Sequence, residues 1–425
     1  MAFGKTGLQL ELPDRFRYRI LEARSAQALP DPACALEQAL DDPIGSPPLA
    51  ELARGSRSAA ISVCDITRPA PNSLLLPAVL RRLEAAGIPR QGITLVIATG
   101  LHRPATEAEI REIVGDEIAA RYRVENHFAR QRDAHRYLGR TKSGTPVYID
   151  ARFLDADLHL SLGLIEPHFM LGFSGGRKLV APGLAARETI VVLHSPRFIR
   201  DPRSAEGLLE GNPLNEELLE IAAMARHDFS VEVALNRRRQ IAGLWAGHPV
   251  AAHRRGWEFV SRALLEQIDT PADAAITSSA GYPLDLTFYQ SIKGASVAQH
   301  VVKPGGRILL VAACEEGPGA PEFSELLKRY ARAEQYLEET AEAEVIIDQW
   351  QLDKLAMVVR KAELLFYVPG LPADYYPTLW GRAFTSAAEA VDALTADLEP
   401  GATIAVIPEG PYVLARAPAA EACLA

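Results

Sequence analysis

The chain has 425 residues, of which 48% are hydrophobic and 23% charged, an ordinary globular composition with enough length for two domains. Its 45 Lys and Arg against 54 Asp and Glu give a net charge of −9, which argues against nucleic acid or an anionic membrane as the main partner. No apolar leader, no run of about 18 apolar residues and no Cys-x-x-Cys pair is present. We therefore expect a cytoplasmic protein whose cysteines are reduced and form neither a disulfide framework nor a structural zinc site.

The order strand, polar loop, helix occurs twice in the first part of the chain. Residues 59–64 and 93–98 are compact apolar runs of strand length, and a polar loop follows each. A helix is predicted after the first loop, from about residue 75 to 86. After the second loop, Thr106 and Glu109 form a capping box that opens another helix. This alternation predicts an α/β fold, in which ligands bind at the carboxyl ends of the strands.

Both loops carry side chains suited to chemistry. Asp65 and Arg68 follow the first strand, and His102 and Arg103 follow the second. An arginine can clamp a carboxylate with two parallel hydrogen bonds, and a histidine can exchange a proton near neutral pH. The alternatives are an Arg68 that merely pairs with Asp65 to hold the turn, and a His102 that caps a helix or is simply exposed.

The next segment, residues 121–150, is rich in charge and contains two further histidines. We expect His127 and His135 to be solvated or structural. Residues 157–163 then alternate with a period of two, which predicts a strand and directs His159 away from its apolar face.

A glycine-rich stretch, residues 165–178, follows this strand. Glycines let the backbone approach a ligand closely, consecutive amides can hold an anion, and the two basic residues add positive charge. A phosphorylated ligand is predicted, although the stretch lacks the Gly-Lys-Ser/Thr of a nucleoside-triphosphate loop, and a plain surface turn is the alternative. The residues of interest are His168, Gly175, Gly176, Arg177 and Lys178, with His194 sixteen residues further on.

A second strand and helix alternation begins near residue 269. On a helix predicted from Leu286 to Val302, Tyr289, Gln290 and Lys293 share one face, and a plain polar helix surface is the alternative. The predicted strands are residues 274–278, 307–312, 363–368 and 403–407, and a helix is predicted near residues 323–336. We predict an N-terminal α/β domain (1–268), a C-terminal α/β domain (269–410) and a tail (411–425) that packs back on the first domain.

Five motifs in this order, over nearly the whole chain, resemble the nickel-dependent lactate racemase family. They are Asp65-x-Thr-Arg-Pro, Gly-Leu-His102-Arg-Pro, residues 140–148, the glycine-rich stretch with His194, and Tyr289-Gln-Ser-Ile-Lys293-Gly. The resemblance implies nickel bound in pyridinium-3,5-bisthiocarboxylic acid mononucleotide, the nickel-pincer nucleotide, attached covalently at Lys178. It also implies His194 as a nickel ligand and cofactor-biosynthesis enzymes as loading partners.

The same resemblance implies a racemase or epimerase with its site in the cleft between two α/β domains. The implied reaction inverts C2 of lactate or a related 2-hydroxy acid by proton-coupled hydride transfer to and from the cofactor. His102 and His168 are implied as the proton-transfer pair, and Arg68, Lys293 and Gln290 as substrate-binding residues. The implied cofactor-binding residues are Asp65, Gly175, Gly176, Arg177, Tyr289 and Gln290.

Two departures from the family pattern leave the substrate open. Leu101 stands where many relatives have a small polar residue, and Phe128 replaces an acid. Two other functions stay open on the sequence. One is a metal hydrolase with zinc on His102, His168 and His194, which would need an acidic base that no His-Glu-x-x-His run supplies. The other is a non-enzymatic nucleotide-binding protein.

Overall fold

The computed structural model describes residues 1–418, which form two compact units that each contain a six-stranded sheet. These α/β units confirm the predicted fold class. Unit 1 comprises Met1–Arg24, Ser195–Pro202 and the residues from Leu264 onward, and unit 2 comprises Ser25–His194 and Arg203–Ala263. The predicted domain boundaries stay predictions, and the end of the predicted tail, residues 419–425 with Cys423, lies outside the described residues.

The strands are β1 (Arg17–Ile20), β2 (Ala59–Cys64), β3 (Ile93–Ala98), β4 (Arg123–Asn126), β5 (His135–Arg140), β6 (Pro146–Asp150), β7 (Leu158–Leu164), β8 (Pro167–His168), β9 (Gly172–Phe173), β10 (Phe229–Leu235), β11 (Ile241–Gly247), β12 (Leu265–Gln267), β13 (Ala272–Ser278), β14 (Val302–Val311), β15 (Glu363–Tyr367), β16 (Arg382–Phe384), β17 (Thr403–Ile407) and β18 (Leu414–Arg416). The α-helices are α1 (Pro32–Asp41), α2 (Leu49–Leu52), α3 (Asn72–Ala85), α4 (Glu107–Val114), α5 (Asp116–Arg121), α6 (Ala151–Leu154), α7 (Arg187–Leu193), α8 (Pro196–Ile199), α9 (Pro213–Met224), α10 (Pro249–Leu264), α11 (Phe288–Ala298), α12 (Pro321–Arg329), α13 (Ala333–Glu339), α14 (Gln349–Lys361) and α15 (Ala387–Thr395). No helix among residues 1–418 has the length and apolar character needed to span a bilayer.

The sheet of unit 2 has the order β11-β10-β7-β2-β3-β4, and its pairs are parallel except β10 with β11. Strands β2 and β7 are buried along their whole length, because helices and loops cover both faces of a parallel sheet. From β2 the chain continues to β3 on one side, while β7 lies on the other side. This is a topological switch point, so the loops after β2, β3 and β7 meet at one edge.

Local predictions in unit 2 are confirmed for two strands, a capping box and the direction of His159. Strands β2 and β3 have the predicted bounds. The capping box is present, since the Thr106 hydroxyl accepts from the Glu109 amide and the Glu109 carboxylate accepts from the Thr106 amide. His159 lies on the face of β7 opposite the leucines of the apolar cluster, as predicted, and because that face is covered too, His159 is buried and bonded to Asp228.

The sheet of unit 1 has the order β1-β17-β13-β14-β15-β16 and is parallel throughout. Apolar clusters cover both of its faces, which explains the nearly continuous apolar runs in β13, β14 and β15. The helix predicted near residues 323–336 is two helices, α12 and α13. Strand β1, from the start of the chain, lies at the edge of this sheet beside β17.

Candidate active site

Asp65 and His102 form a hydrogen-bonded pair across the loops after β2 and β3. His102 Nδ1 lies 2.7 Å from Asp65 Oδ2, while Thr67 donates to Oδ1 from its backbone (3.2 Å) and its hydroxyl (2.6 Å). Burial favours the neutral acid, but the hydrogen bonds from His102 and Thr67 outweigh it and lower the pKa of Asp65. Because a carboxylate accepts at Nδ1, that nitrogen carries the proton and Nε2 of the exposed ring holds the lone pair.

Arg68 makes an ion pair with a residue that the sequence analysis did not single out. Its Nε lies 3.0 Å from Glu166 Oε1, and both side chains are about one-third exposed. The alternative in which Arg68 pairs with Asp65 is therefore wrong, because the partner is Glu166. An ion pair with this exposure contributes at most about 1 kcal/mol, so an incoming carboxylate can replace Glu166 as the partner of Arg68. An acidic residue at the start of a basic, glycine-rich stretch was the available signal.

The glycine-rich loop is built around a buried carboxyl group. Gly175 and Gly176 have φ values of 84° and 49°, which favour glycine. The Gly176 amide donates to Glu232 Oε1 at 2.9 Å, and a Cβ at Gly175 would lie 2.5 Å from Glu232 Oε2. Burial raises the pKa of Glu232 to about 8. One amide of the predicted anion nest is thus occupied by the protein itself, so Glu232 determines the loop shape.

Arg177 points into unit 2 and holds the loop from behind. Burial lowers its pKa to about 10. Its guanidinium contacts Asn215 Oδ1 (2.8 Å), His253 Nε2 (2.9 Å), and the carbonyls of Phe173 (3.0 Å), Leu171 (3.2 Å) and Gly175 (3.3 Å). The side chain therefore shapes the loop, and a cofactor contact from this residue would have to come from its backbone.

Lys178 and His194 both have lowered pKa values, which favour the neutral forms that can bond to a cofactor or a metal ion. Lys178 is half-buried in a short 3-10 turn, and burial together with the charge of Arg68 lowers its pKa to about 8. His194 Nδ1 donates to the Ile190 carbonyl at 2.8 Å, which leaves the lone pair on Nε2. Burial and nearby Lys178 lower the pKa of His194 to about 4, so the imidazole is neutral at neutral pH.

His168 lies on β8, which pairs with β9 to form a narrow two-stranded turn. Its Nδ1 accepts long hydrogen bonds from the amides of Met170 (3.3 Å) and Leu171 (3.4 Å). In this arrangement the neutral ring carries its proton on Nε2, the opposite of His102. The two histidines therefore differ in which ring nitrogen holds the lone pair.

Tyr289, Gln290 and Lys293 lie on α11 in unit 1. The Tyr289 hydroxyl donates to Asp348 Oδ1 (3.0 Å) and accepts from Trp350 Nε1 (3.1 Å). Burial, reinforced by Asp348, raises the pKa of Tyr289. Gln290 Oε1 is buried with no hydrogen-bond partner, and such an atom is a candidate ligand contact. The sequence analysis missed Asp348 and Trp350, which lie about sixty residues away along the chain and carry no motif.

The three histidines of the hydrolase alternative do not form a ligand set in residues 1–418. The His, Cys, Asp and Glu side chains close enough there to share an ion are His127, His135 and Asp150. This grouping gives the hydrolase alternative no support. Of the two expectations for His127 and His135, solvated or structural, the structure supports the second, because both side chains are buried.

Comparisons with known proteins cover nearly the whole chain. Residues 3–207 match the family model "Lactate racemase N-terminal domain", and residues 267–415 match "Lactate racemase C-terminal domain". The chain is 30% identical to a lactate racemase of Thermoanaerobacterium thermosaccharolyticum over 98% of both chains. It is 34% identical to a lactate racemase of Lactiplantibacillus plantarum over 90% of both.

Two solved structures are similar to this chain. The lactate racemase apoprotein from Thermoanaerobacterium thermosaccharolyticum has a TM-score of 0.88 at 30% identity, covering 98% of this chain and 99% of that one. A protein from Thermotoga maritima has a TM-score of 0.65 at 16% identity, covering 91% of this chain and 99% of that one. The second likeness concerns the fold alone.

Proposed function

Because the chain belongs to the lactate racemase family, we propose that it is a racemase that inverts C2 of lactate or a related 2-hydroxy acid. The observation that carries the proposal is the Asp65–His102 pair, which leaves a basic Nε2 at the edge of the sheet where Lys178 and Arg68 also lie. Inversion at C2 requires a base for the hydroxyl proton, a partner for the carboxylate and an acceptor for the C2 hydrogen.

His102 is the first proton acceptor in this proposal. Its Nε2 takes the hydroxyl proton as the C2 hydrogen leaves with its electron pair, which produces a planar 2-oxo acid. The imidazolium that forms is stabilised by Asp65 at 2.7 Å. A positioned base of this kind contributes about 10²- to 10⁴-fold.

His168 serves the opposite enantiomer in the proposal, and it has to change its hydrogen bonds to do so. To accept the hydroxyl proton at Nε2, the neutral ring must hold its own proton on Nδ1, which now faces two amide donors. Those contacts are 3.3 and 3.4 Å long, so they are weak and separable. We therefore expect the turn between β8 and β9 to adjust when substrate binds.

Arg68 binds the substrate carboxylate by exchanging its partner. The substrate replaces Glu166, which lies 3.0 Å from Arg68, and the two-pronged guanidinium then fixes the orientation of C2. Glu166 also keeps Arg68 in position when no substrate is bound. Lys293 and Gln290 stay predictions for substrate contact from unit 1.

The residues present fit a nickel-pincer nucleotide bound at Lys178. When bound, that group would supply the acceptor and donor of the C2 hydride. Lys178, with its pKa lowered to about 8, has a sizeable neutral amine fraction for covalent attachment. His194 presents a neutral Nε2 whose ring is oriented by the Ile190 carbonyl, as nickel requires of an imidazole ligand.

The test is racemisation by protein produced together with cofactor-building enzymes. Chiral chromatography over a panel of 2-hydroxy acids should show interconversion of both enantiomers of at least one compound. Intact mass should show an adduct that Lys178→Ala loses, and Lys178→Arg, which keeps a cation but cannot form the same bond, should lose it as well. A loaded protein that interconverts no member of the panel, or an adduct retained in Lys178→Ala, contradicts the proposal.

A further inference from the structure

Three buried side chains converge next to the loop that carries His102, and the proposed function uses none of them. His127, His135 and Asp150 are 1%, 6% and 0% exposed. One ligand atom from each lies within 4.8 Å of the others. The His127 carbonyl accepts from the Thr99 hydroxyl at 2.8 Å, so the cluster adjoins the start of the His102 loop.

Backbone carbonyls determine which nitrogen of each ring faces the cluster. His127 Nε2 lies 3.0 Å from the Ala185 carbonyl, and His135 Nδ1 lies 2.8 Å from the Gln131 carbonyl. Carbonyls only accept, so these two nitrogens carry protons. The inward-facing atoms are His127 Nδ1, 3.0 Å from Asp150 Oδ2, and His135 Nε2, which is buried with no hydrogen-bond partner. A buried polar atom without a partner requires an explanation.

The carboxylate of the cluster is ionised and firmly held. Arg152 donates to Asp150 Oδ1 (2.9 Å) and Oδ2 (2.6 Å). Burial opposes ionisation, but Arg152 and His127 together lower the pKa of Asp150 well below its usual range. Arg152 also donates to Glu125 at 2.9 Å, so its positive charge is offset from the other side.

We propose that His127 Nδ1, His135 Nε2 and Asp150 Oδ2 bind one divalent transition metal ion of the Zn²⁺ type. Imidazoles whose second nitrogen donates to a carbonyl, together with a braced carboxylate, are the usual surroundings of such an ion. Tetrahedral bonds to N and O place ligand atoms roughly 3.3 Å apart. The His127–Asp150 separation of 3.0 Å is already close to this value, and one ligand atom of each of the three residues lies within 4.8 Å of the others. Water completes the tetrahedron.

The chemistry of the set selects the class of ion. Two imidazoles and one carboxylate suit Zn²⁺, Co²⁺ or Ni²⁺, whereas Mg²⁺ and Ca²⁺ prefer oxygen ligands throughout. The role of the ion is structural, since it joins residues 127–135 to β6 and, through Ala185, to the segment that follows Lys178. The Gly100 amide donates to the Gly183 carbonyl of that segment at 3.0 Å. The ion thereby stabilises the backbone around the His102 loop.

The test is calorimetric titration of the full chain with Zn²⁺ in a Lys178→Ala, His194→Ala background. That background removes the predicted nickel site, so the result does not depend on the proposed function. His135→Asn retains an amide donor for the Gln131 carbonyl but no metal ligand. His159→Asn is the matched control, because His159 is a buried histidine bonded to Asp228 at 2.8 Å whose Nε2 also lacks a partner.

We expect one equivalent of Zn²⁺ to bind and to raise the melting temperature. His135→Asn should weaken binding by at least about 10- to 100-fold, the cost of losing even an outer partner of a metal site, while His159→Asn should not change it. If His135→Asn does not fold, X-ray absorption of the Co²⁺-loaded background protein should still report two imidazole ligands. Absence of saturable binding, or equal binding by His135→Asn, overturns the proposal and leaves the cluster as a proton-bridged His127–Asp150 ion pair.

Discussion

Replacing Asp65 with asparagine tests the orientation of His102 with minimal change in shape. The carbonyl oxygen of the introduced amide can still accept from Thr67, which now donates to Oδ1 at 2.6 Å. The amide NH₂ group, however, replaces Oδ2, so His102 Nδ1 must accept and its proton moves to Nε2. The lone pair then lies on Nδ1, so Nε2, the atom that the proposal assigns as the base, can no longer accept the substrate proton.

The size of the effect follows from that contact. A hydrogen bond to a charged group contributes about 1.5–3 kcal/mol, and the His102 side chain is 63% exposed, so solvent screening favours the lower value, about tenfold. The wrong tautomer adds to this loss, and a positioned base is worth about 10²- to 10⁴-fold in total. We expect kcat/KM to fall about 100-fold. Because the enantiomers have equal free energy, kcat/KM must fall equally in both directions.

The assay is chiral chromatography from each enantiomer with protein of matched nickel content. Thr67→Ser is the control, because it retains a hydroxyl donor to Asp65. Asp65→Glu retains the negative charge but moves it, so its racemisation rate should lie between those of Asp65→Asn and Thr67→Ser. If Asp65→Asn at full cofactor loading racemises the substrate nearly as fast as the unsubstituted protein, the assignment of His102 as an Asp65-oriented base is refuted.

Three further outcomes are expected. Arg68→Lys keeps the charge but loses the two-pronged geometry, so kcat/KM should fall about ten- to hundredfold, about 1–3 kcal/mol, and unchanged kinetics would exclude a carboxylate clamp. His194→Ala should lower nickel content by elemental analysis, whereas His102→Ala should leave it unchanged, and equal losses would favour a shared metal site. The pKa of Glu232 is raised from 4.5 to about 8, so its stabilising contribution is present below the lower value and is lost as pH rises through the higher one. The denaturant concentration at the unfolding midpoint should therefore fall as the pH rises between these two values, and Glu232→Gln should make this fall smaller.

Elements defined by adjacent residues could be predicted from the sequence. Strand β3 is a short apolar run between polar segments, and helix α4 opens on a capping box that needs only Thr106 and Glu109. Alternation also indicated the direction of His159 but not its burial, because the pattern of one strand does not reveal whether its second face is covered. The two helices within residues 321–339 are indistinguishable from one in the sequence, because a break without Gly or Pro leaves no local mark.

The same distinction between local patterns and contacts of distant segments applies to the candidate site. The sequence pattern correctly located Asp65 and His102 directly after β2 and β3, where parallel strands bring their loops together. It could not provide the Glu166 partner of Arg68, the Glu232 carboxyl beneath the glycine loop, or the inward direction of the Arg177 side chain. Each of these depends on contacts between segments far apart in the chain.

The pairing of β1 with β17 has a consequence for the order in which the protein is made. The sheet strands of unit 2 all lie between residues 59 and 247, so that sheet is complete in the chain well before β17 is made. Strand β1 leaves the ribosome before these strands, yet its neighbour β17 emerges only after all of them. Until β17 emerges, β1 therefore lacks the neighbour with which it pairs in the folded sheet, and an unpaired strand can associate with chaperones or other nascent chains. Expression vectors that fuse a bulky partner directly before Arg17 should interfere with this final step of assembly more than with the folding of unit 2.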